Sequence, residues 1–191
     1  MIVFVRHGET PPNREGLLLG RNDPELTDQG RAQAERLART LADREIERVL
    51  TSPLRRARDT ASPIAAACDA PVDVDERLIE IDYGEWEGRP FAALDADLVA
   101  RWHRDPDFAA PGGESLVAVE ARMAGFCEQW LDSEAAGVVV AVSHVSPIKA
   151  AVTWTLGVSP ELAWRMRLDV ASLTRIGRGP LLLSFNETMR P

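Results

Sequence analysis

Cysteine is nearly missing from this 191-residue chain, which has only Cys68 and Cys127. They lack the spacing of a metal knuckle or a redox pair and fall in alanine-rich or apolar helical contexts, so buried reduced thiols are expected. Histidine is almost as scarce, with three residues. No HExxH or clustered Asp/His pattern accompanies them, so neither a metal site nor a cofactor is expected. Basic residues are in deficit, 22 Lys and Arg against 30 Asp and Glu, for a formal charge of -8. That balance excludes a chain devoted to coating nucleic acid or an anionic membrane, while leaving room for a small anionic ligand held by a local group of arginines. No apolar run approaches the length that spans a bilayer, and Met1 leads directly into an apolar strand rather than a basic, then apolar, leader. A cytoplasmic location is the expectation. Internal repeats, low-complexity tracts and linkers are also lacking.

What is present is an ordinary globular composition, 45% apolar and 27% charged, in a chain long enough for one sizeable core. A single domain over 1–191 is expected, with an inserted helix and loop at about 89–115 covering a site. Residues 2–5 and 138–144 read as strands buried on both faces, and 48–53 as a shorter one. Residues 71–81 alternate like a half-exposed strand, and 172–185 resemble a hairpin turning through Gly177 to Pro180. Between them lie helical patterns. Thr27 caps a helix whose Ala34, Leu37, Ala38 and Leu41 share a face. A second helix starts near Pro53, with Ser62 and Pro63 marking a restart or kink. A third starts near Glu114 and carries the stripe Leu116, Val119, Met123, Phe126, Cys127 and Trp130. A fourth opens at Ser146 and Pro147 and is capped by Gly157. Strands alternating with helices predict an α/β fold on a mostly parallel sheet, whose site gathers at the carboxyl ends of the strands.

Arg6, His7, Ser52 and His144 all fall at such ends. Arg6 and His7 are neighbours in a strand, so they converge on one ligand only if the chain leaves extended geometry, a turn that Gly8 permits. In "TSPLRRARDTA", 51–61, a strand passes into a helix start bearing three arginines, a combination suited to phosphate oxygens or, equally, to a solvated basic face. In "RLIEIDYGEWEG", 77–88, Glu80 lies between Ile79 and Ile81 near three further carboxylates. An acid so placed tends to hold its proton, although spacing alone does not say which carboxylate is special. "VSHVSPIK" delivers His144 to the same sheet edge as His7. His103, on the cover segment, reads as a surface or packing residue.

Taken together, these segments resemble the histidine phosphatase superfamily, also called phosphoglycerate mutase-like. "RHGETPPN" matches its signature at Arg6, His7, Gly8, Glu9, Thr10 and Asn13. "ELTDQGRAQA", "SPLRRARDTA", "IEIDYGEWEG", "PGGES" and "VSH" follow in order along essentially the whole chain. The resemblance implies a three-layer α/β/α sandwich on a mostly parallel mixed sheet and a metal-independent phosphatase acting on a small phosphorylated metabolite. It implies His7 as a nucleophile that becomes phosphohistidine and Glu80 as proton donor. Arg6, Arg56 and His144 would hold the phosphoryl oxygens, with Asn13 and Thr10 in the substrate pocket. Two alternatives stand beside it, a phosphoglycerate mutase and a non-catalytic phospho-ligand-binding module. Leu17 departs from the pattern, standing where many relatives carry arginine, and with its apolar neighbours it favours a substrate with an apolar or nucleoside-like body. The chain is also short beside the mutases, which favours hydrolysis. A homodimer through a sheet edge is compatible with the pattern.

Overall fold

The apolar run at the start of the chain forms the strand β1, Ile2–Arg6, in a six-stranded sheet of the computed structural model. Residues 1–132 and 137–189 are described, so 133–136 and 190–191 of the expected domain lie outside the described residues. The other strands are β2 (Ile46–Thr51), β3 (Val72–Val74), β4 (Val138–Ser143), β5 (Leu173–Gly177) and β6 (Leu181–Glu187). Their order is β3-β2-β4-β1-β5-β6. β1, β2, β3 and β4 run parallel to one another; β5 runs antiparallel to β1, and β6 pairs antiparallel with β5 in the hairpin foreseen in the sequence. The register pairs Arg6 with Ser143 and Thr51 with Val142, so the three central strands finish together.

The helices are α1 (Pro11–Glu15), α2 (Asp28–Leu41), α3 (Arg55–Cys68), α4 (Ala96–Trp102), α5 (Leu116–Asp132) and α6 (Val145–Leu156). Strand side chains alternate between faces, and both faces here are apolar. Val3, Val5, Val49, Val140 and Val142 pack against α2 and α3. Ile2, Phe4, Leu50, Val139 and Ala141 pack against α5 and α6. The result is the three-layer α/β/α sandwich with a mostly parallel mixed sheet. Thr27 caps α2, its hydroxyl accepting from the Gly30 amide at 3.0 Å. Gly157 ends α6 in the left-handed region, φ 61°.

Some expectations change. The strand foreseen over 71–81 stops at Val74, because Asp75 turns its carboxylate onto the Arg77 amide at 3.0 Å and winds 76–78 into a short 3-10 turn. α3 runs through Pro63 without a break. Gly8 has no positive φ; its constraint is contact, since a Cβ there would lie 2.5 Å from the Gly30 carbonyl oxygen of α2. Cys127 is buried and free, while Cys68 is free and only partly buried. Among the described residues no helix is long and apolar enough to cross a membrane.

The 89–115 segment contains α4 and is pinned by Trp102, 2% exposed, which meets Tyr83, Trp86 and Trp164 edge-on or tilted. His103 is exposed and stacks on Phe91.

Candidate active site

At the carboxyl edge of the sheet lies a cavity of about 180 Å³ lined by Arg6, His7, Asn13, Glu80, Tyr83 and Val145, with Leu17, Leu18 and Leu19 as its apolar wall. None of these belongs to 89–115; that segment reaches the site indirectly, through a bridge from Pro90 to Leu17 and through the Trp102 contact with Tyr83. A larger hollow of about 410 Å³, beside Met1, Ile46 and Val138, sits at the opposite, amino ends of the strands and holds none of the motif residues.

His7 follows the last residue of β1, and its amide still bonds to the Ser143 carbonyl at 3.1 Å. The residue is 2% exposed, and Nδ1 lies 2.7 Å from the Gly8 carbonyl oxygen. A carbonyl only accepts, so Nδ1 carries the proton and Nε2 keeps its lone pair. Burial, then the charges of Arg56 and Arg6, hold this imidazole well below its ordinary pKa and therefore neutral at pH 7. The His144 ring lies 5.1 Å from it, centroid to centroid. His144 is fully buried, depressed by burial and the same arginines, with Nε2 2.7 Å from the Ser52 hydroxyl and Nδ1 without a partner.

Arg6 donates through Nη1 to the Leu168 carbonyl at 2.6 Å. Burial brings its pKa down to about 10, which leaves it charged at neutral pH. Arg56, on the first turn of α3, is fully buried and does not line the cavity. Its Nη1 and Nη2 donate to the carbonyls of Asn22 and Gly20, both at 2.6 Å, and its Nε has no partner. Nη1 also lies 4.0 Å from the Asp23 carboxylate, and each terminal nitrogen retains a second hydrogen not used on a carbonyl.

Glu80 is 3% exposed and reaches the amino end of α6. Oε1 accepts from the amides of Ile81 at 2.8 Å and Ser146 at 3.1 Å; Oε2 accepts from Val145 at 3.0 Å. Those N–H groups and the helix dipole favour the carboxylate, but burial outweighs them and raises the pKa. Oε2, with one N–H fewer, has the room for a proton. Asn13 turns Oδ1 toward the Thr10 amide (3.1 Å) and hydroxyl (2.8 Å), leaving its own NH₂ for the cavity. Thr10 is fully buried and spends its hydroxyl on Asn13, so it shapes the pocket without facing it.

Sequence reasoning passed over Tyr83, whose hydroxyl burial holds protonated far above the usual range, and Lys149, partly buried one turn beyond Val145 with its pKa lowered by burial and by Arg6. Tyr83 sits three positions from Glu80, in the motif already singled out. Lys149 had a weaker signal, the i+4 spacing from the first residue of α6. Among the described residues no group of three or more His, Cys, Asp or Glu is placed to hold a metal ion.

Fold and site together define an α/β/α domain in which two neutral histidines, two arginines and a buried glutamate meet at one sheet edge. The chain belongs to the histidine phosphatase superfamily (branch 1), whose sequence profile matches residues 2–185. Phosphoserine phosphatase 1 of Hydrogenobacter thermophilus is 35% identical over 179 residues, 92% of this chain and 85% of that protein. A bifunctional protein of Mycobacterium tuberculosis is 37% identical over 177 residues, 91% of this chain but 49% of its own, so the chain spans about half the length of that relative. Among solved structures, a mycobacterial glucosyl-3-phosphoglycerate phosphatase with VO3 superposes with a TM-score of 0.88 at 32% identity, covering 98% of both chains. A phosphoserine phosphatase of Entamoeba histolytica with phosphoserine gives 0.87 at 30% identity, covering 97% of this chain and 95% of that one.

Proposed function

We propose that this chain is a metal-independent phosphatase that hydrolyses a small phosphomonoester through a phosphohistidine on His7. The observation that carries the reading is the His7 tautomer: Nδ1 is committed to the Gly8 carbonyl, so a neutral Nε2 with a free lone pair faces a cavity shared with Arg6 and Glu80. Nε2 attacks phosphorus and the bond to the leaving oxygen breaks. The Glu80 proton passes from Oε2 to that oxygen, which spares the expulsion of an alkoxide. Water then attacks phosphorus and gives its proton to Glu80. The P–N bond breaks, and inorganic phosphate and neutral His7 are restored.

The charges close on this scheme. With Glu80 protonated, Arg6 and Arg56 supply two positive charges against a phosphoryl dianion. A Ser52 hydroxyl donating to His144 Nε2 places the His144 proton on Nδ1, a further donor for a phosphoryl oxygen, and the Asn13 NH₂ adds another. These fixed donors take the role that cations play in other phosphoryl transfer sites.

For the substrate, a cavity of about 180 Å³ walled by three leucines suits a phosphoryl group on a short body better than a nucleoside. The names of the relatives point the same way, so phosphoserine and phosphoglycerate derivatives head the metabolite panel. A mutase reading rests on relatives described as probable phosphoglycerate mutases, one of them 34% identical. Comparing phosphate release with interconversion of 3- and 2-phosphoglycerate decides between them.

The test is hydrolysis of p-nitrophenyl phosphate in excess EDTA, its inhibition by vanadate, and trapping of an acid-labile, alkali-stable phosphoenzyme. His7→Ala is expected to lose both turnover and the trapped phosphate. A His7→Ala protein that still turns over removes the nucleophile.

A further inference from the structure

Glu87 belongs to the "GEWEG" stretch, seven residues beyond Glu80 and outside the cavity lining. Its carboxylate accepts the Gly20 amide on Oε1 at 2.8 Å and the Arg21 amide on Oε2 at 3.0 Å. The carbonyls of the same loop, at Gly20 and Asn22, are the ones that receive the two terminal nitrogens of Arg56.

The peptide joining Gly20 to Arg21 links the two ends. Among the described residues no peptide is cis, so the Gly20 carbonyl and the Arg21 N–H point in opposite directions from one rigid plane. Holding the N–H on Glu87 therefore aims the carbonyl at Arg56. An anion on the donor side and a cation on the acceptor side polarise that peptide in one sense, which strengthens both bonds. Gly20 is also seated tightly, since a Cβ on it would meet Glu87 Oε2 at 2.5 Å, the Ile81 carbonyl at 2.7 Å and the Tyr83 ring at 3.0 Å. Glu87 is itself held in register, because the Gly88 amide donates to the Leu18 carbonyl at 2.8 Å and the Leu18 amide to the Arg89 carbonyl at 3.0 Å.

We propose that Glu87 is a positioning residue: through the 20–22 loop it fixes the guanidinium of Arg56 so that the N–H groups not bound to carbonyls are presented to the phosphoryl group. This rests on the phosphatase reading above. It ties the segment that carries the proton donor to the arginine that neutralises the transferring group, so acid and cation keep a fixed relation.

The test is a double-mutant cycle on p-nitrophenyl phosphate turnover and vanadate inhibition, with thermal melts alongside. Glu87→Gln keeps the shape but sets an NH₂ group against one of the two loop amides. It is expected to lower kcat and weaken vanadate by about tenfold, the scale of a modest misplacement of a catalytic group. In an Arg56→Ala background the same change is expected to add less than about twofold, because what it positions is gone. Glu85→Gln, on the exposed side of the same segment, is the control and should match the wild type. A second readout uses the wild type alone: the Gly20 and Arg21 amides should resist hydrogen exchange before any ligand is added. Equal losses from Glu87→Gln in both backgrounds, no loss in either, or rapid exchange of those amides overturns the positioning role and leaves the phosphatase reading standing. A wild type that neither turns over p-nitrophenyl phosphate nor binds vanadate defeats both.

Discussion

Glu80 carries opposing influences on a single carboxyl group. Three backbone N–H groups stabilise its anion, while burial disfavours that charge and prevails. The carboxyl therefore keeps its proton to higher pH than an exposed glutamate, which suits the general-acid role proposed above. The consequence is a dependence on leaving group. On the mechanism proposed above, Glu80→Gln cannot protonate an alkoxide, so any turnover of an alkyl ester such as phosphoserine is expected to fall roughly 100- to 10,000-fold. Turnover of p-nitrophenyl phosphate, whose leaving group departs without a proton, should fall far less. Equal losses on the two substrates would show that Glu80 contributes something other than a proton.

Among the elements, the meeting of the β1 end with the first turn of α2 decides where His7 sits. The Thr27 amide donates to the Glu9 carbonyl at 2.9 Å, and the Gly8 amide donates to the Thr60 hydroxyl of α3 at 3.0 Å. The backbones of residues 8–9 and Gly30 touch so closely that neither glycine has room for a side chain. Gly8→Ala is expected to destabilise the fold by about 1–3 kcal/mol, since the opposing atoms are backbone and do not yield. It should also reduce kcat by displacing the carbonyl that fixes the His7 tautomer. Urea denaturation and turnover measured together check this; unchanged stability would mean the chain relaxes around the methyl group.

For the molecule as a whole, two imidazoles stripped of water make stability depend on pH. His7 and His144 have folded pKa values well below the ordinary 6.5, so the unfolded chain binds protons that the folded one refuses. For a depressed pKa the stabilisation is complete above the unfolded value and is lost as pH falls below it. Each histidine contributes a slope of about 1.4 kcal/mol per pH unit until its own folded pKa is reached. Urea midpoints are expected to fall as pH drops below about 6.5, more steeply than in a His144→Gln variant. A wild-type slope equal to that of the variant would mean that His144 is charged in the fold. His7 stays neutral in the folded protein down to its own depressed pKa, so on the proposed mechanism turnover should persist somewhat below pH 6.5.

The sequence alone determined the layers and which residues reach the carboxyl edge of the sheet. Double-sided apolar runs such as 2–5 and 138–143 admit little but central parallel strands, and the 3.6-residue stripes of α2 and α5 face them because that is where apolar surface leaves water. Ordered motifs likewise brought His7, Arg6 and His144 forward, since strand ends of a parallel sheet share one edge, and Glu80 came forward as an acid set between two isoleucines. Local pattern did not reveal how far β3 would run, because the Asp75 carboxylate competes with the ladder through a side-chain bond that periodicity does not register. Nor did it reveal that Gly8 serves packing rather than a turn, since the atom it must avoid belongs to a helix 22 residues away. The tautomer of His7, the balance on Glu80 and the hold of Glu87 on the Arg56 loop arise from carbonyls and amides that every residue carries. Their direction in space is set only when distant segments pack, so the tertiary structure alone decided them.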